Sequence, residues 1–396
     1  MRMAIFDKFQ QLAHARQSLE ENYSDFFNIV MEDISSATEA VMKGRPVLLA
    51  GTNNYLGLTF NKECIRAACL AVEREGTGTT GSRMANGTFA GHVALEQELS
   101  DFFGRNKTIV FSTGYIANLA ILSTLVGPGE VILLDADCHA SIYDGCRLGG
   151  AEVIRFRHND AGDLEKRLQR LEKRDINVLI VVEGLYSMMG DRAPLADIVA
   201  VKKKYGAYLV VDEAHSLGVL GENGRGLAEE AKVEDAVDFV IGTFSKSLGA
   251  IGGFCTSNHT ELDLIRYASR PYIFTASSSP STIASTRTAL KIMRSQPELR
   301  KRLWDSANFL YERLKGLGYK VGPEASPIIA VRYKSVEEAF AIWHGLLERT
   351  IYVNMVLPPA TPDGGALLRC SLSAAHTREQ VERIADAFAS LKEIDS

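Results

Sequence analysis

Seven short runs of valine, isoleucine, leucine and other strand-forming residues most constrain the fold of this 396-residue chain. Segments with helical periodicity separate the runs, an alternation typical of a mostly parallel sheet flanked by helices on both faces. We therefore predict an α/β fold. The candidate strands are Thr108–Phe111, Val131–Leu134, Glu152–Phe156, Val178–Val182, Tyr208–Val211, Phe239–Ile241 and Gly253–Thr256.

The chain divides into three predicted parts. Residues 1–48 include a polar, helix-forming stretch, Phe9–Glu21, but no core of their own, so we interpret them as an arm that lies on another domain or subunit. Residues 49–277 carry the seven runs and form the predicted large domain. Residues 278–396 combine a long helical segment, short strands and a final helix, which predicts a smaller C-terminal α+β domain.

Charge and cysteine usage exclude several classes of protein. Lysine and arginine total 44 against 49 aspartate and glutamate residues, a net charge of −5, so no basic surface is expected for nucleic acid. Six cysteines without a Cys-x-x-Cys pair favour free thiols in a reducing cytoplasm over disulfides or a zinc site. The longest apolar window, Ile116–Val126, is shorter than the roughly 20 residues that span a bilayer. We predict a soluble cytoplasmic protein without a transmembrane segment, and transient membrane contact stays open.

Four side chains with useful chemistry directly follow candidate strands. They are His139, Glu183, Asp212 and Lys246. Because ligands of open parallel sheets gather at the carboxyl ends of the strands, we expect these side chains to surround one site.

Lys246 lies in the segment Gly242–Gly249, GTFSKSLG, whose small and hydroxyl-bearing residues suit a phosphate group and close backbone approach. A lysine that forms an imine must react as the neutral amine, and burial lowers its pKa from about 10.4. Upstream, Asp212 ends an apolar run and His215 follows it. A buried carboxylate can keep a pyridine nitrogen protonated. The pattern suits an enzyme that holds an aldehyde cofactor as a Schiff base on Lys246.

These residues, with several further motifs, resemble the pyridoxal-phosphate-dependent α-oxoamine synthases, which share the type I fold of aspartate aminotransferase. The further motifs are GTTGSR at 78–83, NGTF at 86–89, FSTGY at 111–115, DADCHASIYDG at 135–145, EGLYSMMGD at 183–191, RPYIFTAS at 270–277 and PPATP at 358–362. The resemblance implies a homodimeric transferase with pyridoxal 5′-phosphate as cofactor. Such enzymes condense an amino acid with an acyl thioester and release carbon dioxide.

Within that family, three motifs favour the branch that uses L-serine and a long-chain acyl group to form 3-oxosphinganine. They are Asn86–Phe89, the YDG of 143–145 and the MMGD of 188–191. Either coenzyme A or an acyl carrier protein could deliver the acyl group. The implied partners are therefore L-serine, the acyl thioester and a second copy of the chain.

The resemblance also implies roles for residues around the cofactor. His139 stacks on the cofactor ring, Asp212 pairs with the pyridine nitrogen, and His215 contacts the ring oxygen. Together with Lys246, these form the predicted catalytic group. The full predicted cofactor site is Gly114, Tyr115, His139, Glu183, Ser187, Asp212, His215, Thr243, Ser245 and Lys246, with Thr275 and Ala276 contributed by the partner subunit.

Arg369 is predicted to bind the substrate carboxylate. It lies between apolar residues in the strand pattern LLRCSL, where an arginine is costly to bury unless it has a partner. A guanidinium matches a carboxylate in two parallel hydrogen bonds. By resemblance, Asn54 and His139 complete the substrate site. Some relatives carry another arginine just before the PPATP motif, but here that residue is Leu357, so no second arginine is assigned.

Three alternatives stay open at this point. Synthases that use glycine or alanine, of the glycine C-acetyltransferase or 8-amino-7-oxononanoate synthase type, share the same catalytic core. An aminotransferase or lyase of the same fold would show keto-acid-dependent exchange of the cofactor. A non-catalytic regulatory subunit usually lacks the lysine, and Lys246 is present.

Overall fold

A computed structural model describes residues 5–22, 29–358, 361 and 364–392 of the chain. The strands are β1 Asp33–Ile34, β2 Glu39–Met42, β3 Arg45–Leu49, β4 Lys107–Phe111, β5 Val131–Asp135, β6 Glu152–Phe156, β7 Val178–Glu183, β8 Tyr208–Asp212, β9 Phe239–Thr243, β10 Gly253–Ser257, β11 Lys320–Val321, β12 Ile328–Tyr333, β13 Ile351–Tyr352, β14 Asn354–Val356 and β15 Ala366–Ser371. The α-helices are α1 Gln10–Asn22, α2 Lys62–Glu75, α3 Ala90–Phe103, α4 Gly114–Leu125, α5 Ala140–Gly149, α6 Ala161–Leu171, α7 Leu195–Tyr205, α8 Leu227–Glu230, α9 Ile265–Ala268, α10 Arg270–Ile273, α11 Pro280–Ser295, α12 Glu298–Gly316, α13 Val336–Glu348 and α14 Arg378–Lys392. Short 3₁₀ helices span Asp7–Phe9, Leu58–Phe60, Glu234–Ala236 and Thr260–Leu264.

A seven-stranded sheet in the order β4-β10-β9-β8-β7-β5-β6 forms the centre of the molecule. Strands β5 to β9 pair in parallel, whereas β10 runs antiparallel to both β4 and β9. The reversal follows from the short connection between β9 and β10, because a parallel pair needs a much longer crossover. The seven predicted strands coincide with β4 to β10 to within two residues at each end, and the predicted α/β fold is confirmed.

The inner strands are apolar on both faces, as a covered parallel sheet requires. Residues 131–134 of β5 and 209–211 of β8 have no exposed surface. Helices α4 and α5 pack closely on one side of the sheet. A Cβ atom on Gly145 of α5 would lie only 2.8 Å from the backbone oxygen of Asn118 on α4, so the glycine permits this approach. Within the described ranges, no helix combines the length and apolarity that a membrane crossing requires.

The C-terminal part contains the antiparallel sheet β11-β12-β15-β14 with helices α12, α13 and α14. Pro297 lies between α11 and α12. Strands β1, β2 and β3 form a small sheet with β13, in which β3 and β13 are parallel. A strand from the predicted N-terminal arm, β3, thus pairs with a strand from the C-terminal part, β13. Residues 1–4 and 23–28 of that arm lie outside the described residues, and the three-part division stays a prediction.

Candidate active site

A cavity of about 280 Å³ lies at the carboxyl ends of β7, β8 and β9, beside the first turn of α4. It collects nine of the predicted site residues: Gly114, Tyr115, His139, Glu183, Asp212, His215, Thr243, Ser245 and Lys246. Its wall also includes Asn118, Ser141 and Ala214, which sequence reasoning did not select. The expectation that residues following separate strands meet at one edge of the sheet matches this arrangement.

Lys246 is half-buried in the turn between β9 and β10. Gly249, at φ +61°, closes that turn, and its backbone N–H donates to the carbonyl oxygen of Lys246 at 3.0 Å. Burial lowers the pKa of Lys246 to about 8, although the negative charges of Asp212 and Glu183 oppose the shift. A substantial fraction of this lysine is therefore neutral near neutral pH, as nucleophilic attack on an aldehyde requires.

Asp212 is buried at the end of β8, and backbone and side-chain donors hold its carboxylate. Its Oδ1 atom accepts from the backbone N–H of Ala214 at 2.9 Å, and its Oδ2 atom accepts from Nδ2 of Asn118 at 2.8 Å. The neighbouring Glu183 is also buried, and its Oε1 atom accepts from the backbone N–H of His139. Burial, together with the charge of Asp212, holds the pKa of Glu183 well above its usual range.

His215 is buried beneath the cavity, where its Nδ1 atom lies 2.7 Å from the hydroxyl oxygen of Tyr55. Burial and the nearby positive charges of Lys246 and Arg369 hold the pKa of His215 well below its usual range, so the ring is neutral. Burial also raises the pKa of Tyr55 to about 12, so its hydroxyl keeps its proton. Tyr55 is 160 residues from His215, and the motifs do not mark it.

The first turn of α4 forms the end of the cavity that suits an anion. Helix N-termini offer free backbone N–H groups, and the cap residue Thr113 already accepts from the N–H of Ile116 at 3.0 Å. A Cβ atom on Gly114 would lie 2.9 Å from Cβ of Thr243, so only glycine allows these two segments to meet. The hydroxyl groups of Thr243 and Ser245 lie 2.9 Å apart on the facing turn. Backbone and hydroxyl donors therefore converge as a phosphate site needs.

Arg369 of β15 is buried near the cavity without a carboxylate partner among the described residues. Its Nε atom donates to the backbone oxygen of Ser187 at 2.6 Å, and Nη2 donates to Oδ1 of Asn53 at 3.0 Å. Nη2 is also 3.5 Å from the hydroxyl oxygen of Tyr55. Neutral oxygens thus orient the guanidinium and leave its charge uncompensated. Such a group favours an anionic ligand.

The remaining predicted residues lie outside the cavity lining. Asn54 is buried; its Nδ2 atom donates to Thr59 at 2.8 Å, while its Oδ1 atom has no partner in the part of the chain that the structure describes. Ser187 contacts the site through its backbone oxygen, which holds Arg369. Thr275 is half-buried and Ala276 is exposed, and neither lines the cavity of its own chain. A role for Thr275 and Ala276 in the partner subunit's site stays a prediction.

An ion cluster surrounds the half-buried side chain of His158, which follows β6. Nδ1 of His158 is 2.8 Å from Asp135, and Nε2 is 2.7 Å from Asp191. The ring packs edge-on against Tyr186 with centroids 4.5 Å apart, and Asp137 is 3.9 Å from Nδ1. Burial alone would lower the pKa of His158, but the hydrogen bonds and charges of the two close aspartates outweigh it and raise the pKa to about 10. His158 is therefore an imidazolium at neutral pH.

We expect this cluster to make folding stability fall as the pH rises. The folded-state pKa lies above the unfolded value near 6.5, so the stabilisation is complete below pH 6.5 and is lost as the pH rises to about 10. His158→Gln should lower the free energy of unfolding by roughly 2–4 kcal/mol at pH 6 and by much less at pH 9.5. Urea unfolding of both proteins at the two pH values measures the difference. A deficit independent of pH would show that His158 is uncharged in the folded protein.

Comparison with known proteins places this site in context. Residues 45–388 match the family described as aminotransferase class I and II. The serine palmitoyltransferase of Caulobacter vibrioides is 56% identical over 386 residues, which cover 98% of this chain and 96% of that protein. A structure of serine palmitoyltransferase from S. paucimobilis with bound pyridoxal phosphate and myriocin has a TM-score of 0.97 at 49% identity, over 99% of both chains. The 8-amino-7-oxononanoate synthase of Geobacter sulfurreducens is 41% identical over 359 residues, 90% of this chain and 91% of that protein.

Proposed function

The chain belongs to the class I and II aminotransferase family, and we propose that it is a pyridoxal-phosphate-dependent acyltransferase that condenses L-serine with a long-chain acyl thioester. The products are 3-oxosphinganine, carbon dioxide and the free thiol, and the reaction is the first step of sphingolipid biosynthesis. The observation that carries the proposal is the presence at one cavity of Lys246, whose pKa is about 8, and of the Arg369 guanidinium, which has no carboxylate partner among the described residues. The first suits an aldehyde cofactor, and the second suits an amino-acid carboxylate.

The residues around the cavity fit pyridoxal phosphate. Gly114 lets the first turn of α4 approach Thr243 closely, because a Cβ atom there would lie 2.9 Å from Cβ of Thr243. The first turn of α4 with Thr243 and Ser245 would hold the phosphate, and the buried carboxylate of Asp212 would face the pyridine nitrogen. Lys246 would hold the aldehyde carbon. The donor set therefore has an anion site, a carboxylate and an amine, matching the three functional parts of the cofactor.

When bound, pyridoxal phosphate supplies a covalent attachment for the amino acid and an electron sink for its α-carbon. Asp212 would keep the pyridine nitrogen protonated, and His139 would pack on the ring and orient the substrate. Arg369 binds the carboxylate of L-serine, which places the Cα–H bond near Lys246. The neutral amine of Lys246 then accepts the α-proton at Nζ. Each residue thus positions a group or holds a proton at a stated atom.

Palmitoyl-coenzyme A is the acyl donor we propose, in a homodimeric cytoplasmic enzyme. High overall identity to serine palmitoyltransferases supports the acyl class, and the six free cysteines suit a reducing compartment. An acyl carrier protein would deliver the same acyl group, so both donors belong in the test.

The function is tested by mass spectrometry of the products formed from a panel of amino acids and acyl donors. The panel pairs L-serine, glycine and L-alanine with palmitoyl-coenzyme A, palmitoyl acyl carrier protein, succinyl-coenzyme A and pimeloyl-coenzyme A. We expect 3-oxosphinganine from L-serine and the palmitoyl donors, with poor turnover of glycine and alanine. Efficient use of glycine with the succinyl donor, or of alanine with the pimeloyl donor, would contradict the proposal.

A shared site at the dimer interface predicts that two inactive variants rescue each other. Lys246→Ala removes the amine. Thr275→Asp places a negative charge at the position that is proposed to approach the cofactor phosphate in the partner subunit's site. After denaturation and refolding together, heterodimers contain one site with both residues intact. Random pairing makes half of the dimers mixed, so about a quarter of wild-type activity should return.

Each variant refolded alone is the control for this mixing experiment and should stay inactive. Activity of Thr275→Asp alone, or no recovery in a mixture shown to contain heterodimers, would mean that Thr275 does not complete the partner subunit's site.

A further inference from the structure

A line of buried polar groups connects Asp212 to His139. Nδ2 of Asn118 lies 2.8 Å from Oδ2 of Asp212 and 3.0 Å from the hydroxyl oxygen of Ser141. That hydroxyl oxygen lies 2.8 Å from Nδ1 of His139, and the backbone N–H of Ser141 donates to the same Nδ1 at 3.2 Å. Asn118 is 3% exposed and Ser141 is 1% exposed, so the bonds that join Asp212, Asn118 and Ser141 are shielded from water, whereas His139 is exposed.

The direction of each hydrogen bond follows from the groups involved. The ionised Asp212 accepts only, so the amide of Asn118 must present its NH₂ group there. The reverse orientation would place two oxygens in contact. The observed orientation has a cost, because Oδ1 of Asn118 is buried without a partner among the described residues. One hydrogen of the NH₂ group goes to Asp212 and the other goes to Ser141.

The proton of the Ser141 hydroxyl is then free to point at His139. Its oxygen already accepts from Asn118, and the backbone N–H of Ser141 also points at Nδ1 of His139. A proton on Nδ1 would have to displace both donors, the hydroxyl proton across 2.8 Å and the more distant backbone N–H at 3.2 Å. Nδ1 therefore accepts, and the proton of the imidazole resides on Nε2. Asn118 lies on α4 and Ser141 lies on α5. Gly145 lets these two helices pack in close contact, which fixes the distance between the two side chains.

We propose that Asn118 and Ser141 are positioning residues that keep His139 as the neutral tautomer protonated on Nε2, so that this N–H is available to donate to the substrate carboxylate. The inference rests on the proposed function for the identity of that carboxylate. The network itself depends only on residues of this chain. It ties the orientation of His139 to the carboxylate of Asp212, so that the two groups that contact the cofactor ring are set together.

Removal of the Ser141 hydroxyl should change the protonation of His139, and a pH titration measures that change. Burial lowers the pKa of His139, the charge of Asp212 raises it and the charge of Lys246 lowers it. Tyr115 also faces the ring edge-on, with centroids 6.3 Å apart. The hydroxyl of Ser141 donates to Nδ1 only when Nδ1 carries no proton. Its removal therefore takes away an interaction that favours the unprotonated nitrogen. Ser141→Ala should therefore raise the pKa of His139 and allow the other tautomer.

The test compares the holoenzyme with Ser141→Ala, Ser141→Thr and the matched control Ser123→Ala. Ser123 is a half-buried α4 serine whose hydroxyl donates to the backbone oxygen of Leu119. Nitrogen NMR of ¹⁵N-histidine protein reads the tautomer, and the His139 signals are assigned by their loss in His139→Asn. Absorbance titration with L-serine at several pH values gives Kd, and steady-state assays give KM and kcat.

We expect the wild-type protein, Ser141→Thr and Ser123→Ala to show neutral His139 protonated on Nε2. Ser141→Ala should show mixed tautomers, a pKa about one unit higher, and an L-serine Kd roughly tenfold weaker, the cost of one hydrogen bond to a charged group. Its kcat should change less than its KM.

The inference is overturned if Ser141→Ala keeps the wild-type tautomer and pH profile, or if Ser123→Ala produces equal changes. Should Ser141→Ala fail to fold, loss of the Nε2 tautomer in Ser141→Thr would overturn it. The NMR readout needs no substrate. A protein with the expected tautomers that ignores L-serine would therefore disprove the proposed function and leave the network standing.

Discussion

Lys246→Ala should abolish product formation, with turnover at least about a thousandfold below that of the wild-type protein, because one substitution removes both the covalent anchor and the proposed proton acceptor. The purified variant should also lack the visible absorption band of lysine-bound pyridoxal phosphate. Lys301→Ala is the control, since Lys301 is an exposed lysine that pairs with Asp305. Absorbance spectra and product mass spectrometry of the three proteins check the prediction.

The pH dependence of cofactor attachment provides a second measure of the same lysine. Burial lowers the pKa of Lys246 to about 8, so the neutral amine accumulates as the pH rises through 8. The rate at which the apoprotein takes up pyridoxal phosphate should follow that rise. A rate that keeps increasing to pH 10 or above would mean that Lys246 has the pKa of an ordinary surface lysine. Normal turnover by Lys246→Ala would refute the assignment altogether.

Asp212→Asn should preserve the fold and slow removal of the substrate α-proton by at least about a hundredfold. An amide fills the space of the carboxylate but does not hold a proton on the pyridine nitrogen, so the electron sink is lost. Deuterium exchange at the α-carbon of L-serine in heavy water measures this step without the acyl donor. The matched control is Asp238→Asn, which removes a largely buried, ion-paired carboxylate at the opposite end of β9.

Exchange in Asp238→Asn should stay within about threefold of the wild-type rate, because Asp238 lies away from the cavity. Near-normal exchange in Asp212→Asn would show that this carboxylate does not support the carbanion. Equal losses in both variants would point to a general effect on the sheet rather than to the proposed role of Asp212.

The strands and their terminal residues were readable from sequence because both signals are local. Continuous apolar runs mark covered strands, and the residue after each run comes to the same edge of a parallel sheet. His139, Glu183, Asp212 and Lys246 therefore meet in one cavity without any knowledge of side-chain packing. An arginine among leucines also pointed to Arg369, and its charge meets no carboxylate within the described ranges of the chain.

The partners of these residues were not readable in the same way. Asn118 lies in the apolar helix α4, where its neighbours make it look like a helix residue of the core. Tyr55 reaches His215 across 160 residues, and Asn53 reaches Arg369 across 316. Nothing in the local pattern of either segment records such contacts. They arise only when α4 packs on α5 and when the segment before α2 lies against β15.

The sequence by itself determined the α/β class, the strands and the chemical identity of the site, because apolar periodicity and residue chemistry are properties of short segments. Tertiary structure alone decided the antiparallel direction of β10, the neutral oxygens that orient Arg369, and the polar line from Asp212 through Asn118 and Ser141 to His139. Those features depend on distances between segments far apart in the chain. Burial in the folded protein then shifts the pKa values of the groups brought together: it lowers that of Lys246 and raises that of Glu183.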